Sequence, residues 1–330
     1  MKHSRTCLVL ALFSCLTGGA EPGKIKHRFV ATDESGHQVL LVDEAAAAGN
    51  WAVPLHARDM QLVGDGRLMV SVNTRGTATR NGYLELSLDD GRLLKRFESP
   101  AGMFKRVTTA RRGADGSTYL GGYAQNGIQI AQFGPDDKPV ATVDCPPAIK
   151  HIRLMRLTAT GTFLLGSGSV IYEIGRTGEI VWQQTVKGAN HIYKAVRLPN
   201  GNTMLASGYG AFIVEIAPDG EWVRTLGRAP GQKVKSPKFF ADFQILANGN
   251  VVIANWMGHK REDSRKGQQI VEYTPEGQIA WTWHNPDLAG CIHGLLLLDG
   301  LDVRALHHEC AGLLAPVAQP VPLPSVPAAQ

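Results

Sequence analysis

Apolar and polar positions alternate along residues 191–228 in four short runs: Tyr193 to Leu198, Asn202 to Ala206, Ala211 to Ile216 and Glu221 to Leu226. The turns Pro199-Asn200-Gly201, Ser207-Gly208-Tyr209-Gly210 and Pro218-Asp219-Gly220 separate them. Period-two runs of about four to six residues, punctuated by Asn-Gly and Asp-Gly, predict a four-stranded antiparallel meander. One such sheet cannot bury both faces alone, so it demands neighbours.

The rest of the chain supplies them. First hairpins turning at Gly66, Gly116, Gly161, Gly201 and Gly249 recur at intervals of about 40–50 residues, the spacing of a propeller blade. Third and fourth strands follow each in register, as in SVIYEIGRTGEIVWQQTV and AFIVEIAPDGEWVRTLG. The ends are incomplete in complementary ways: residues 27–55 offer three strands without a leader, and residues 292–300 a leader without followers. Joining them predicts an all-β, six-bladed β-propeller closed by strand exchange between the N- and C-terminal segments, which ties down both ends and removes open sheet edges. Seven blades is the alternative, at about 41 residues each.

The leading hairpins LPNGNTMLAS and LANGNVVIAN, with closing strands such as Gly178-Glu179-Ile180-Val181-Trp182, resemble secreted bacterial propellers of the pyrroloquinoline-quinone-like repeat, arylsulfotransferase-like and NHL groups. The resemblance spans nearly the whole mature chain and implies architecture, not chemistry. The quinone-dependent dehydrogenases of this kind usually carry more blades and a pair of adjacent, bridged cysteines. This chain has no adjacent cysteines, so the expectation is that it binds no quinone.

The ends carry addresses and not core. Lys2, His3 and Arg5 precede an apolar run from Cys7 to Phe13 and the small residues Gly18-Gly19-Ala20, which reads residues 1–20 as a secretory signal peptide. Cleavage after Ala20 would release a periplasmic or secreted protein; a lipoprotein box at Leu12-Phe13-Ser14-Cys15 offers the alternative of a lipid anchor on Cys15. Residues 21–310 read as a single domain. Residues 311–330, with Pro316, Pro320, Pro322, Pro324 and Pro327, read as a disordered tail. The formal charge of +5 falls to +3 with Lys2 and Arg5 gone, too mild for a nucleic-acid binder. Cys145, Cys291 and Cys310 remain, and a Cys291–Cys310 bridge would fasten the C-terminus in an oxidising compartment. A monomer is expected.

Candidate chemistry follows from the repeat alignment. The first strand of each blade lines the channel, and the loops entering it share a face with the loops joining second to third strands. His56 and His191 occupy one repeat position, His151 joins them with one inserted residue, Phe239 takes the place in a further unit, and His293 lies a little further along its own strand. Four convergent imidazoles would suit a divalent metal or acid–base work. Arg58, Arg106, Arg153 and Lys194 outnumber Asp59 and Asp242 on the same strands, which predicts a positive mouth for an anion. The long loop from Ala254 to Gln268 adds Trp256, a residue that stacks on rings.

No nucleophile elbow, HExxH or Walker loop is present. The expectation is a binding protein for an anionic molecule, a carbohydrate or a cell-envelope protein. The alternative is a lyase or arylsulfotransferase-type enzyme using the channel histidines.

Overall fold

The apolar runs become strands in the computed structural model, which describes residues 25–72 and 81–317. The expected leader at 1–20, Cys15 with it, the loop residues 73–80 and the prolines beyond 317 lie outside the described residues. Six sheets form. Blade 1 begins with the inner strand Ala57–Leu62, blade 2 with Arg106–Arg112, blade 3 with Met155–Leu157, blade 4 with Ala195–Arg197 and blade 5 with Phe240–Ile245, each followed outward by three more strands. Inner strands are buried almost throughout, because neighbouring blades cover both faces. Outer strands such as Ile180–Thr185 alternate between exposed and half-buried positions. Aromatic edge-to-face contacts weld blade to blade, Phe97 to Phe133 at 4.8 Å and Tyr119 to Phe163 at 5.7 Å between ring centres. Among the described residues no helix is long and apolar enough to cross a membrane.

Blade 6 closes the ring as the complementary ends require. Its inner strand Ile292–Leu297 comes from the C-terminal part and pairs antiparallel with Arg28–Asp33, placing Phe29 opposite Leu297 and Thr32 opposite Gly294. His27 locks this closure. Its Nδ1 lies 2.9 Å from Asp299 and its Nε2 2.9 Å from Glu272 of blade 5. Burial alone would lower its pKa, but the two carboxylates reverse that and raise it from 6.5 to about 9.

The chain does not stop at residue 310. Strands His307–Ala311 and Leu313–Pro316 form a hairpin on the inner edge of blade 5, with Ile245 opposite Leu313 in a parallel bridge. The expected tail boundary at 311 is therefore corrected: residues 313–316 are strand, and the hairpin plugs one end of the channel. Gln61 and Val63, at the far end of blade 1's inner strand, bond His307 and bridge to Leu306. The Cys291–Cys310 bridge is also corrected. All three described cysteines are free, since Cys291 sits where its inner strand begins and Cys310 in the plug at the opposite end.

The plug delivers Glu309 into the channel core. Its carboxylate accepts from Lys194 Nζ at 2.6 Å and from Arg156 Nε at 2.5 Å, with Arg111 at 3.8 Å. Asp59 pairs with Arg156 at 3.1 Å and Asp242 with Lys194 at 2.9 Å. β-Bulges in the inner strands, between Ala57 and Met60 and between Phe240 and Phe243, turn Asp59 and Asp242 inward. Three cations thus meet three carboxylates, all buried. Burial opposes ionisation of Glu309, yet Lys194, Arg156 and Arg111 hold its pKa at about 2.

Two outcomes follow. Glu309→Gln leaves one buried cation uncompensated and should cost roughly 3–5 kcal/mol in denaturant unfolding at neutral pH; an unchanged midpoint would mean that the cluster does not hold the plug. His27 contributes stability that is full below pH 6.5 and disappears as pH rises through about 9. The melting temperature should therefore fall across that window, and His27→Gln should flatten the fall.

Candidate ligand site at the channel mouth

A cavity of about 170 Å³ opens at the unplugged end, where the inner strands begin. Arg58, Arg153, His191, Tyr193, Phe239 and His293 reach it from strand starts. Glu34, Tyr209, Trp256 and His259 reach it from loops between second and third strands. The repeat geometry puts both sets on one face, as the alignment implied.

One wall is aromatic. Tyr209 packs edge-on to Phe239 at 4.7 Å between ring centres, and Phe239 to Trp256 at 5.6 Å. Tyr209 owes its place to Gly208, which holds φ +65°; a Cβ there would come within 2.2 Å of the Asn190 carbonyl oxygen. Beside it His191 adopts a left-handed backbone at φ +62°. Trp256 Nε1 donates to Glu34 at 3.1 Å, and His259 Nδ1 lies 3.3 Å from the other Glu34 oxygen, so this carboxylate is occupied on both sides.

The opposite side is basic. Arg58 donates to the Tyr193 hydroxyl at 3.1 Å, and Arg153 to the Tyr123 hydroxyl at 3.4 Å. Among the described residues neither guanidinium has a carboxylate within ion-pair distance, and Arg58 Nε is buried without a hydrogen-bond partner. His293, 3 % exposed, holds Thr32 Oγ1 at 2.9 Å through Nδ1, while its Nε2 has no partner among the described residues. Burial first, then Arg58, His56 and Arg153, push its pKa well below 6.5, so the ring is neutral at physiological pH. Tyr193, wholly buried, is raised to about 12 and stays a phenol.

Of the residues expected at the mouth, Arg58, Arg153, His191, Trp256 and His293 line the cavity. His151 stands at its rim, its ring 5.7 Å from that of His191. Arg106 lies over the Tyr123 ring at 4.3 Å, and His56 packs against His37 at 5.2 Å. Lys194 and Asp242 are corrections: they belong to the buried ion cluster, because each points deeper into the channel than the strand-start residues beside it. The four-histidine convergence does not form. Among the described residues no group of three or more His, Cys, Asp or Glu side chains is gathered to hold a metal ion. The expected site left out Glu34, Tyr193, Tyr209, Phe239 and His259, all of which line the cavity. Tyr209 and Glu34 shared a visible signal, a place in the second-to-third-strand turn of their blades, Glu34's being the composite blade.

No protein-family model matches the sequence, and no curated protein matches it. By structure the chain is similar to a protein of unknown function from Bacteroides caccae, at 20% identity and TM-score 0.68, over 83% of this chain and 99% of that one. It is also similar to a streptogramin B lyase, at 12% identity and TM-score 0.54, over 87% and 88% of the two chains. A third is a catalytically inactive histidine-to-alanine virginiamycin B lyase from Staphylococcus aureus with quinupristin, at 11% identity and TM-score 0.51, over 79% and 85%. Such identities show the fold alone. The chain is a six-bladed β-propeller with one end of its channel plugged and the other opening on a basic, aromatic cavity.

Proposed function

We propose that this is an exported propeller that binds a small anionic or carbohydrate-type ligand at the open channel mouth. One observation carries the reading: Arg58 and Arg153 face the cavity without a carboxylate partner among the described residues. Clustered cations in a half-enclosed, low-dielectric cleft repel one another until an anion arrives. The same residues that leave the apoprotein under-compensated therefore favour the complex. Export rests on the leader read in residues 1–20.

A second reading, catalysis, is favoured by His293. A neutral, buried imidazole with one nitrogen anchored by Thr32 and the other unpartnered fits a proton acceptor. The streptogramin-type lyases that share the fold include one inactivated by loss of a histidine, which supports the reading without assigning the reaction.

The binding test uses protein recovered from the periplasmic fraction, whose intact mass reports leader removal, titrated calorimetrically with benzoate, glucuronate and inorganic sulfate. At least one should bind, and Arg153→Gln should weaken it by about tenfold or more, the size of a lost charge-assisted hydrogen bond, with the melting temperature unchanged. No binding by any anion, or equal binding after the substitution, overturns the reading. If the protein turns a ligand over, its rate should hold down to pH values well below 6.5 before falling. Arg58→Gln should move that acid limb upward, because a cation that depresses the His293 pKa is gone; a limb that stays in place counts against His293 as the base.

A further inference from the structure

We infer that the ligand is a single-ring aromatic carboxylate; this rests on the anion-binding reading above and narrows it. Size is the first argument. A cavity of about 150 Å³ admits benzene, and the mouth, open on its solvent side, offers about 170 Å³, enough to seat one ring.

The wall is the second. Tyr209, Phe239 and Trp256 stand at steep angles to one another, interplanar 84°, 73° and 79°, so together they present both faces and edges to an incoming ring. Aromatic pairs of this geometry gain energy beyond buried area.

Sugars fit the cavity less well. Each hydroxyl can accept from a guanidinium but also brings an O–H donor that needs an acceptor in the wall. Among the described residues Glu34 is the one carboxylate in the lining, both its oxygens are engaged by Trp256 and His259, and no Asp, Asn or Gln joins it there. What the cavity has in surplus is donors: two guanidinium forks and the Tyr193 phenol. An aromatic acid reverses that balance, with an apolar ring for the wall and two acceptor oxygens for Arg58 and Arg153.

Each guanidinium fork can span a carboxylate's two coplanar oxygens, and the carboxylate has lone pairs enough for both forks. A tetrahedral sulfonate brings a third oxygen out of that plane, and the nearby residue that could meet it, Arg106, lies over the Tyr123 face instead of lining the cavity. His293 Nε2, without a partner among the described residues, adds a polar point for a ring hydroxyl or amine.

The test is calorimetric titration of the mature protein with benzoate, 4-hydroxybenzoate, benzenesulfonate, phenol and glucuronate at one ionic strength. Benzoate and 4-hydroxybenzoate should bind about tenfold or more tightly than the other three. Tyr209→Ala, at a residue that is 45 % exposed, should weaken benzoate several-fold and glucuronate by less. Glucuronate as tight as benzoate overturns the aromatic assignment and leaves the anion reading standing. Benzenesulfonate as tight as benzoate overturns the carboxylate. Phenol as tight as benzoate, or no binding at all, overturns both readings.

Discussion

The six charges in the channel core carry the rest of the structure. Arg111, Arg156 and Lys194 come from the inner strands of blades 2, 3 and 4, or from just before them, and Asp59 and Asp242 from bulges in blades 1 and 5. These five alone would leave one cation over, buried where water cannot screen it. Glu309 removes the imbalance, and only the C-terminal hairpin can bring it there. Docking of the plug and charge balance among the five channel side chains are therefore coupled. A propeller without its last dozen described residues would have an open, positively charged channel.

That arrangement divides the channel by charge. At the floor every cation is matched and the backbone carbonyls of Met60 and Phe243 take further donors from Arg111 and Lys194. At the mouth, a short distance up the same strands, the hydrogen bonds of Arg58 and Arg153 among the described residues go to phenols. The contrast is chemically informative. The chain balances six buried charges within one channel and leaves two cations at the mouth without carboxylate partners among the described residues, and on that contrast the proposed anion site rests. The rigid floor also fixes the strand starts that carry the mouth, which limits the ordering cost when something binds.

The closing blade links these features to the termini. His27 ties the first strand to blade 5 and to Asp299, and Phe29 packs edge-on to Trp283 at 5.4 Å. The same blade places Glu34 and His293 in the cavity, the first from the N-terminal part of the chain and the second from the C-terminal part. The site is thus complete only when the ring is closed, and its geometry reports on that closure.

Much of this was legible in the chain by itself. Turn glycines and period-two runs determine strand, hairpin and blade, because they are local and set by backbone sterics and side-chain alternation. Complementary half-blades at the two ends determine closure, and repeat position determines which face gathers His191, Arg58, Arg153 and Trp256. Depth along the channel was not legible. Lys194 lies one residue beyond Tyr193, yet one meets Glu309 and the other the cavity, and the bulges that aim Asp59 and Asp242 leave no mark in the alternation. Nor could the chain say that His307 to Pro316 folds back, since short strands after the last repeat look like a tail until a charged channel offers Glu309 a partner. Local periodicity is written in neighbours along the sequence; charge balance is written in neighbours across the ring, and only the tertiary structure brings those together.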